Sequence, residues 1–94
     1  MGTESETYYK RNPHTAWQIM PEGGMILDLR AHELTATNLT GAAIWQELEE
    51  PRTVLQLSEA LAQQFTVTPE EALGTVNAFL DQLQEKNLVE IVSD

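Results

Sequence analysis

Apolar positions change their period once along this chain, near residue 38. From His14 to Thr37 they alternate with polar positions. From Asn38 to Asn87 they recur every three or four residues, and a short apolar run follows at Leu88–Val92. Alternation predicts strands with one buried face, and the three-to-four spacing predicts amphipathic helices. The stretch His14 to Met20 sets Trp17 and Ile19 on one face of a first strand. Pro21-Glu22-Gly23-Gly24 reads as a turn. In the next run Met25, Leu27 and Leu29 alternate against Ile26, Asp28 and Arg30, so the expected buried face is that of Met25, Leu27 and Leu29. A tight connection through Ala31-His32 leads to Glu33–Thr37. This third strand is thinly apolar and suits a sheet edge.

The helical half is punctuated by start and stop signals. Asn38 is the expected N-cap of a helix reaching about Leu48, with Leu39, Ala42, Ala43, Trp45 and Leu48 on its apolar face. Glu49-Glu50-Pro51 ends it. Thr53 with Gln56 three residues on forms a capping box for a second helix. Its face is Val54, Leu57, Ala60 or Leu61, and Gln64 or Phe65. Thr68-Pro69-Glu70-Glu71 supplies a cap, a first-turn proline and a reciprocating glutamate for a third. Its stripe is Ala72, Leu73, Val76, Phe79, Leu80 and Leu83. Asn87 tolerates the left-handed conformation that stops a helix, and Leu88 follows as hydrophobic closure.

Three strands, three helices and a final strand make an α+β fold: a three-stranded antiparallel sheet followed by three helices and a short C-terminal strand. The arrangement resembles a winged helix-turn-helix. Residues 1–13 are polar and broken by Pro13, so they are expected as a flexible arm, with the domain spanning residues 14–94.

Length and charge narrow the function. At 94 residues the chain has room for one core and no second domain. Its formal charge is −10, and residues 39–94 carry ten acids against Arg52 and Lys86. Phosphate backbones and anionic lipid surfaces require clustered cations, so neither nucleic acid nor membrane is an expected partner. With no cysteine, the chain offers no disulfide, thiolate or iron–sulfur ligation. No run of 18 apolar residues or apolar signal core occurs, and the expected location is cytoplasmic.

Catalytic constellations are not evident. His14 and His32 lack the partners that a zinc or iron site needs, so no metal is expected. Glu47, Glu49, Glu50, Glu70 and Glu71 lie at helix ends or on polar faces, where they are solvated rather than paired for acid–base work. Ser58 sits inside a helix between Leu57 and Glu59, unlike the helix-start serine of a carrier protein. Gly23-Gly24 and Gly41 form no phosphate-binding loop. The glycine pair suits a hairpin turn, and Gly41 suits close packing at the first helix. Trp17, Trp45, Phe65 and Phe79 read as core residues. A helix stripe beside an edge strand, however, also describes a peptide groove.

At Asn38-Leu39-Thr40-Gly41-Ala42-Ala43-Ile44-Trp45 the chain resembles the Asn-x-Thr-Gly-Ala-x-Ile-Trp signature of the PqqD family. Pro51-Arg52-Thr53-Val54, Leu61 to Phe65 with Val67, Val76-x-x-Phe79-Leu80-x-x-Leu83 and Leu88-Val89 extend the likeness. So do Arg11-Asn12-Pro13, Trp17 and the strand from Gly24 to Leu29. Together these pieces cover about residues 8–92. One position departs: Thr37 stands where the family usually has leucine, leaving Leu39 or an altered strand-to-helix corner to compensate.

The resemblance implies a recognition domain for the leader of a ribosomally made precursor peptide. Such a domain passes its peptide to a maturation enzyme, often a radical S-adenosylmethionine protein, and performs no chemistry itself. It implies a leader docked between the third strand and the third helix, with no cofactor. A free strand edge offers unpaired N–H and C=O groups that an extended peptide completes. On this reading Leu34 and Ala36 form one wall, with Thr35 and Thr37 on the strand's other face. Val76, Phe79, Leu80 and Leu83 form the opposite wall, shared with the core. The acidic balance favours a leader with basic residues. The alternatives are a winged-helix transcription regulator and a structural subunit of a larger enzyme complex.

Overall fold

Three polar side chains open the three helices of the chain at the expected positions. In the computed structural model, which describes residues 7–93, Asn38 Oδ1 accepts the Gly41 amide at 2.9 Å and starts α1 (Leu39–Glu47). Thr53 and Gln56 close a reciprocal capping box on α2 (Val54–Gln64). Thr68 and Glu71 do the same for α3 (Pro69–Glu85), whose first residue is proline. Each box satisfies two backbone donors that a helix start leaves orphaned. At the far end of α3, Asn87 takes φ 59° and turns the chain so that the Leu88 amide reaches Leu83 O at 2.9 Å. Leu88 is buried there, as a helix-closing apolar residue should be.

The strands form two separate sheets. β1 (Thr7–Arg11) pairs antiparallel with the C-terminal β5 (Val89–Ser93). β2 (Thr15–Met20), β3 (Gly23–Asp28) and β4 (Glu33–Thr37) form an antiparallel meander in that order. β4 is the third of the strands expected from the alternating segment, and it lies at a sheet edge. The tight hairpin residues are Pro21 and Glu22. Gly23 and Gly24 instead open β3, opposite Met20 and Ile19. In the β3–β4 connection the Asp28 carboxylate accepts the amides of Arg30 at 2.9 Å and Ala31 at 3.1 Å. Those bonds hold its pKa below the ordinary carboxylate value.

The core lies between the meander and the helices. α1 and its C-cap contribute Ile44, Trp45 and Leu48, α2 Leu57 and Leu61, and α3 Val76, Leu80 and Leu83, closed by Leu88 and Val89. From the sheet only Ile26 is fully buried among them. This inverts the expected face of β3. Met25 and Leu27 are half-buried on the outer face and Leu29 is exposed, packed at most across strands, with Leu27 opposite Leu34 and Met25 opposite Ala36. Alternation defines two faces but not which one the helices cover. Trp17 shares the inner face with Ile26 yet stays 44% exposed at the sheet margin, against the core assignment. Leu39 is likewise exposed, so the strand-to-helix corner is filled by Thr37 beside Gly41 rather than by Leu39.

The expected flexible arm is corrected from Thr7 onward; residues 1–6 lie outside the described residues. Tyr9 exchanges two backbone hydrogen bonds with Arg52 at 2.7 and 2.9 Å, and the Asn12 amide bonds Leu88 O at 2.9 Å. Arg11 reaches across to the end of α1, where its guanidinium donates to Trp45 O at 3.0 and 2.7 Å and to Gln46 O at 3.2 Å. The same group lies 4.1 Å from the Trp17 ring centroid and 5.3 Å from that of Trp45, two rings that meet edge to face. α1 has no basic residue in its own last turn, so Arg11 provides the cation that its negative end favours. Burial lowers the Arg11 pKa and Glu49 opposes that shift; a guanidinium stays protonated regardless. Arg11→Ala is expected to cost about 2–3 kcal/mol, because charge-assisted bonds and cation–π contacts are lost together. Arg11→Lys recovers less than half, since one ammonium cannot replace a planar fork. Urea unfolding monitored by tryptophan fluorescence measures both; wild-type midpoints in both variants would refute the role.

Among the described residues no helix is long and apolar enough to cross a membrane, and no three His, Cys, Asp or Glu side chains cluster as a metal would need.

Candidate functional site

The free edge of β4 stands beside α3, and a groove of about 380 Å³ runs between them. Three elements meet there. β4 supplies Ala36 and Thr37, the start of α1 supplies Asn38, Thr40 and Gly41, and α3 supplies Thr75, Ala78, Phe79 and Gln82. The α3 residues recur at i, i+3, i+4 and i+7, one helix face. No charged side chain lines the groove, and its floor is the edge of the Phe79 ring, 9% exposed.

Gly41 gives the groove its depth. A Cβ at this position would lie 3.0 Å from the Phe79 ring and 3.1 Å from Thr37 Cβ. Both are groove residues, so any side chain here would push into the cleft or the core. The closeness assigned to Gly41 from the sequence is therefore met at the junction of strand and helices. Asn38 is fixed by its capping bond to Gly41 and by the Thr40 hydroxyl, which donates to Asn38 Oδ1 at 3.0 Å. The wall at this end is preformed by helix capping.

The eight residues expected to line a peptide groove divide sharply. Ala36, Thr37 and Phe79 do line it. Val76, Leu80 and Leu83 are fully buried in the core and are not wall residues. Leu34, 59% exposed, points to the outer sheet face with Leu27, whereas Thr35 is buried opposite Ile26 on the helix side. Of the expected Leu34–Ala36 wall only Ala36 borders the groove, and Thr37, on the strand's other face, borders it too at the strand's end. Thr75, Ala78 and Gln82 were missed. They form a small and polar stripe beside the buried one, displaced by about one residue along α3, and only the buried stripe carries a hydrophobic signal.

Ser58, weighed as a carrier serine, is buried and donates to Val54 O at 2.9 Å within α2.

Residues 23–89 match the family described as Coenzyme PQQ synthesis protein D (PqqD), most of the chain and every groove residue. No curated protein matches. Two solved structures share the fold. "TbiB1 in Complex with the TbiA(beta) Leader Peptide" aligns with TM-score 0.77 and 21% identity over 86% of this chain and 94% of that one. "Lasso peptide synthetase B1 complexed with the leader peptide" aligns with TM-score 0.74 and 22% identity over 87% and 96%.

Proposed function

The chain belongs to the PqqD family, and on that footing we propose that it is a non-catalytic adaptor that binds the leader of a ribosomally made precursor peptide. It hands the peptide to a maturation enzyme, which in proteins of this resemblance is often a radical S-adenosylmethionine protein. The observation that carries the reading is the open groove flanked by the free edge of β4 and the Thr75–Gln82 face of α3. An extended leader completes the backbone pairing of β4 as a fourth strand of the meander. Its alternate side chains then enter the groove against Phe79 and Ala78, or lie on the outer face beside Leu34. The likeness to two proteins solved with leader peptides supports leader binding.

Adaptor work needs no reacting group in the groove, and the uncharged lining fits that role. The acidic balance of the chain favours a leader with basic residues and raises its encounter rate. The winged helix-turn-helix likeness, kept as an architectural comparison, does not favour a DNA reader. Glu70, Glu71, Asp81 and Glu85 on α3 face any phosphate with only Lys86 to offset them.

Titration of the ¹⁵N-labelled chain with candidate leader peptides tests the reading. Shifts and slowed amide exchange are expected along β4 and at Thr75, Ala78 and Gln82. Saturable binding whose shifts avoid β4 would rule out strand addition. A complex with the maturation enzyme that is insensitive to leader would favour the structural-subunit role.

A further inference from the structure

A second groove of about 380 Å³ lies on the other side of α3, against α2. Leu55, Ser58 and Ala62 of α2 and Pro69 and Leu73 of α3 line it, with Glu59 and Glu70 among them. Leu55 is 64% exposed and Leu73 42%, although the period of α3 assigns Leu73 to the core stripe. The floor makes no polar demand, because the Ser58 hydroxyl is already bonded to Val54 O. Two large aliphatic side chains over small floor residues are a receptor for knobs from another chain.

We propose that this groove is a second docking site, which takes a short amphipathic helix bearing large aliphatic side chains flanked by lysine or arginine. Three observations select that occupant. Both walls are helices, and neither offers a strand edge, so the fitting partner is a helix laid in a groove. Leu55 to Ala62 spans about 10 Å of helix, enough for two turns of partner. Each wall contributes an acid, Glu59 on α2 and Glu70 on α3, and neither is in an ion pair among the described residues. A second copy of this chain would bring those acids against the same acids, so self-association is disfavoured by charge.

The two grooves are independent of each other. At 100° per residue, Thr75, Ala78 and Gln82 lie on one flank of the buried stripe of α3, and Pro69, Glu70 and Leu73 lie on the other. A leader on one flank leaves the other open, so the protein can hold two partners at once. This inference stands whether or not the first groove takes a leader.

The probe is a 14-residue acetylated and amidated peptide of leucine and lysine with leucines at helical spacing, titrated into the ¹⁵N-labelled full chain at physiological salt. Shifts are expected to centre on Leu55, Ala62 and Leu73. Leu55→Glu is the deciding variant: the site is solvent-exposed, and the change adds negative charge. A groove binder loses at least tenfold in affinity, whereas a peptide held by general charge attraction binds the variant as well or better. Leu73→Asp is expected to give a similar loss, and Ala78→Arg, in the first groove, less than a twofold change. Unchanged or tighter binding to Leu55→Glu overturns the proposal. So does a loss on Ala78→Arg, or a dimer of the free chain that Leu55→Glu dissolves.

Discussion

Ala78→Arg is expected to lower leader affinity on the order of a hundredfold, about 2.7 kcal/mol, while the melting temperature stays within a few degrees of wild type. The asymmetry follows from position. Ala78 is exposed on α3, between Thr75 and Gln82, and takes no part in the core. A long side chain there costs little helix propensity, because arginine ranks close to alanine. It occupies the groove, however, and brings a cation to a site proposed to take a basic peptide. Fluorescence anisotropy of labelled leader, paired with a thermal melt of each variant, separates the two effects. Ala78→Ser serves as the control, with affinity within threefold of wild type. If Ala78→Arg binds the leader as wild type does, the peptide does not run between β4 and α3.

Gly23→Ala is expected to destabilise the fold by about 3 kcal/mol, the range of a substitution that forces backbone apart. For a domain of this length that lowers the melting temperature by about 12–24 °C. The cause is local and severe. A Cβ on Gly23 would overlap the Thr37 carbonyl oxygen, and Gly23 has φ 156°, which side-chain-bearing residues rarely adopt. Relief requires the end of β4 to leave β3, and with it Asn38, the cap of α1. A Cβ on the neighbouring Gly24 would meet Ile19 Cδ1 and Thr37 Oγ1 at 3.3 Å, contacts that side chains can yield, and the Gln18 backbone oxygen at 3.4 Å, an ordinary contact, so Gly24→Ala is expected to cost about 1 kcal/mol or less. Calorimetry on the two variants distinguishes a clash with backbone from a general cost of losing glycine. Equal melting points would remove the clash as the explanation. Because Thr37 also lines the groove, Gly23→Ala is expected to weaken leader binding below its melting point.

These predictions rest on positions with very different visibility in the amino-acid sequence. The helix starts were evident because capping is local: Asn38, Thr53 and Thr68 each bond an amide three residues on, and the partner stands in the same short segment. The stop at Asn87 was evident for the same reason. Glycine at 41 was readable as a close approach, though not what it approaches. The family motif from Asn38 to Trp45 carried the expectation of a peptide groove beside the third strand of the alternating segment, and an open groove lies between that strand and α3.

Non-local pairing was not readable. β1 is polar, and its partner β5 lies at the opposite end of the chain. Nothing within residues 7–11 announces Arg52, Trp45 or Leu88 as neighbours. Arg11 illustrates this, since its worth comes from carbonyls 34 and 35 residues away. The face of β3 was inverted, because a strand's alternation is symmetric between its two sides until a second layer covers one. Sequence was therefore sufficient for the kinds and order of the elements from β2 onward and for the helix caps, which are set by contacts within one turn. The wall of the groove was decided only when α3 packed on the core. Packing buried Val76, Leu80 and Leu83 and turned the adjoining Thr75, Ala78 and Gln82 toward β4, and hydrophobic period marks the residues that lose water, not those left at the rim.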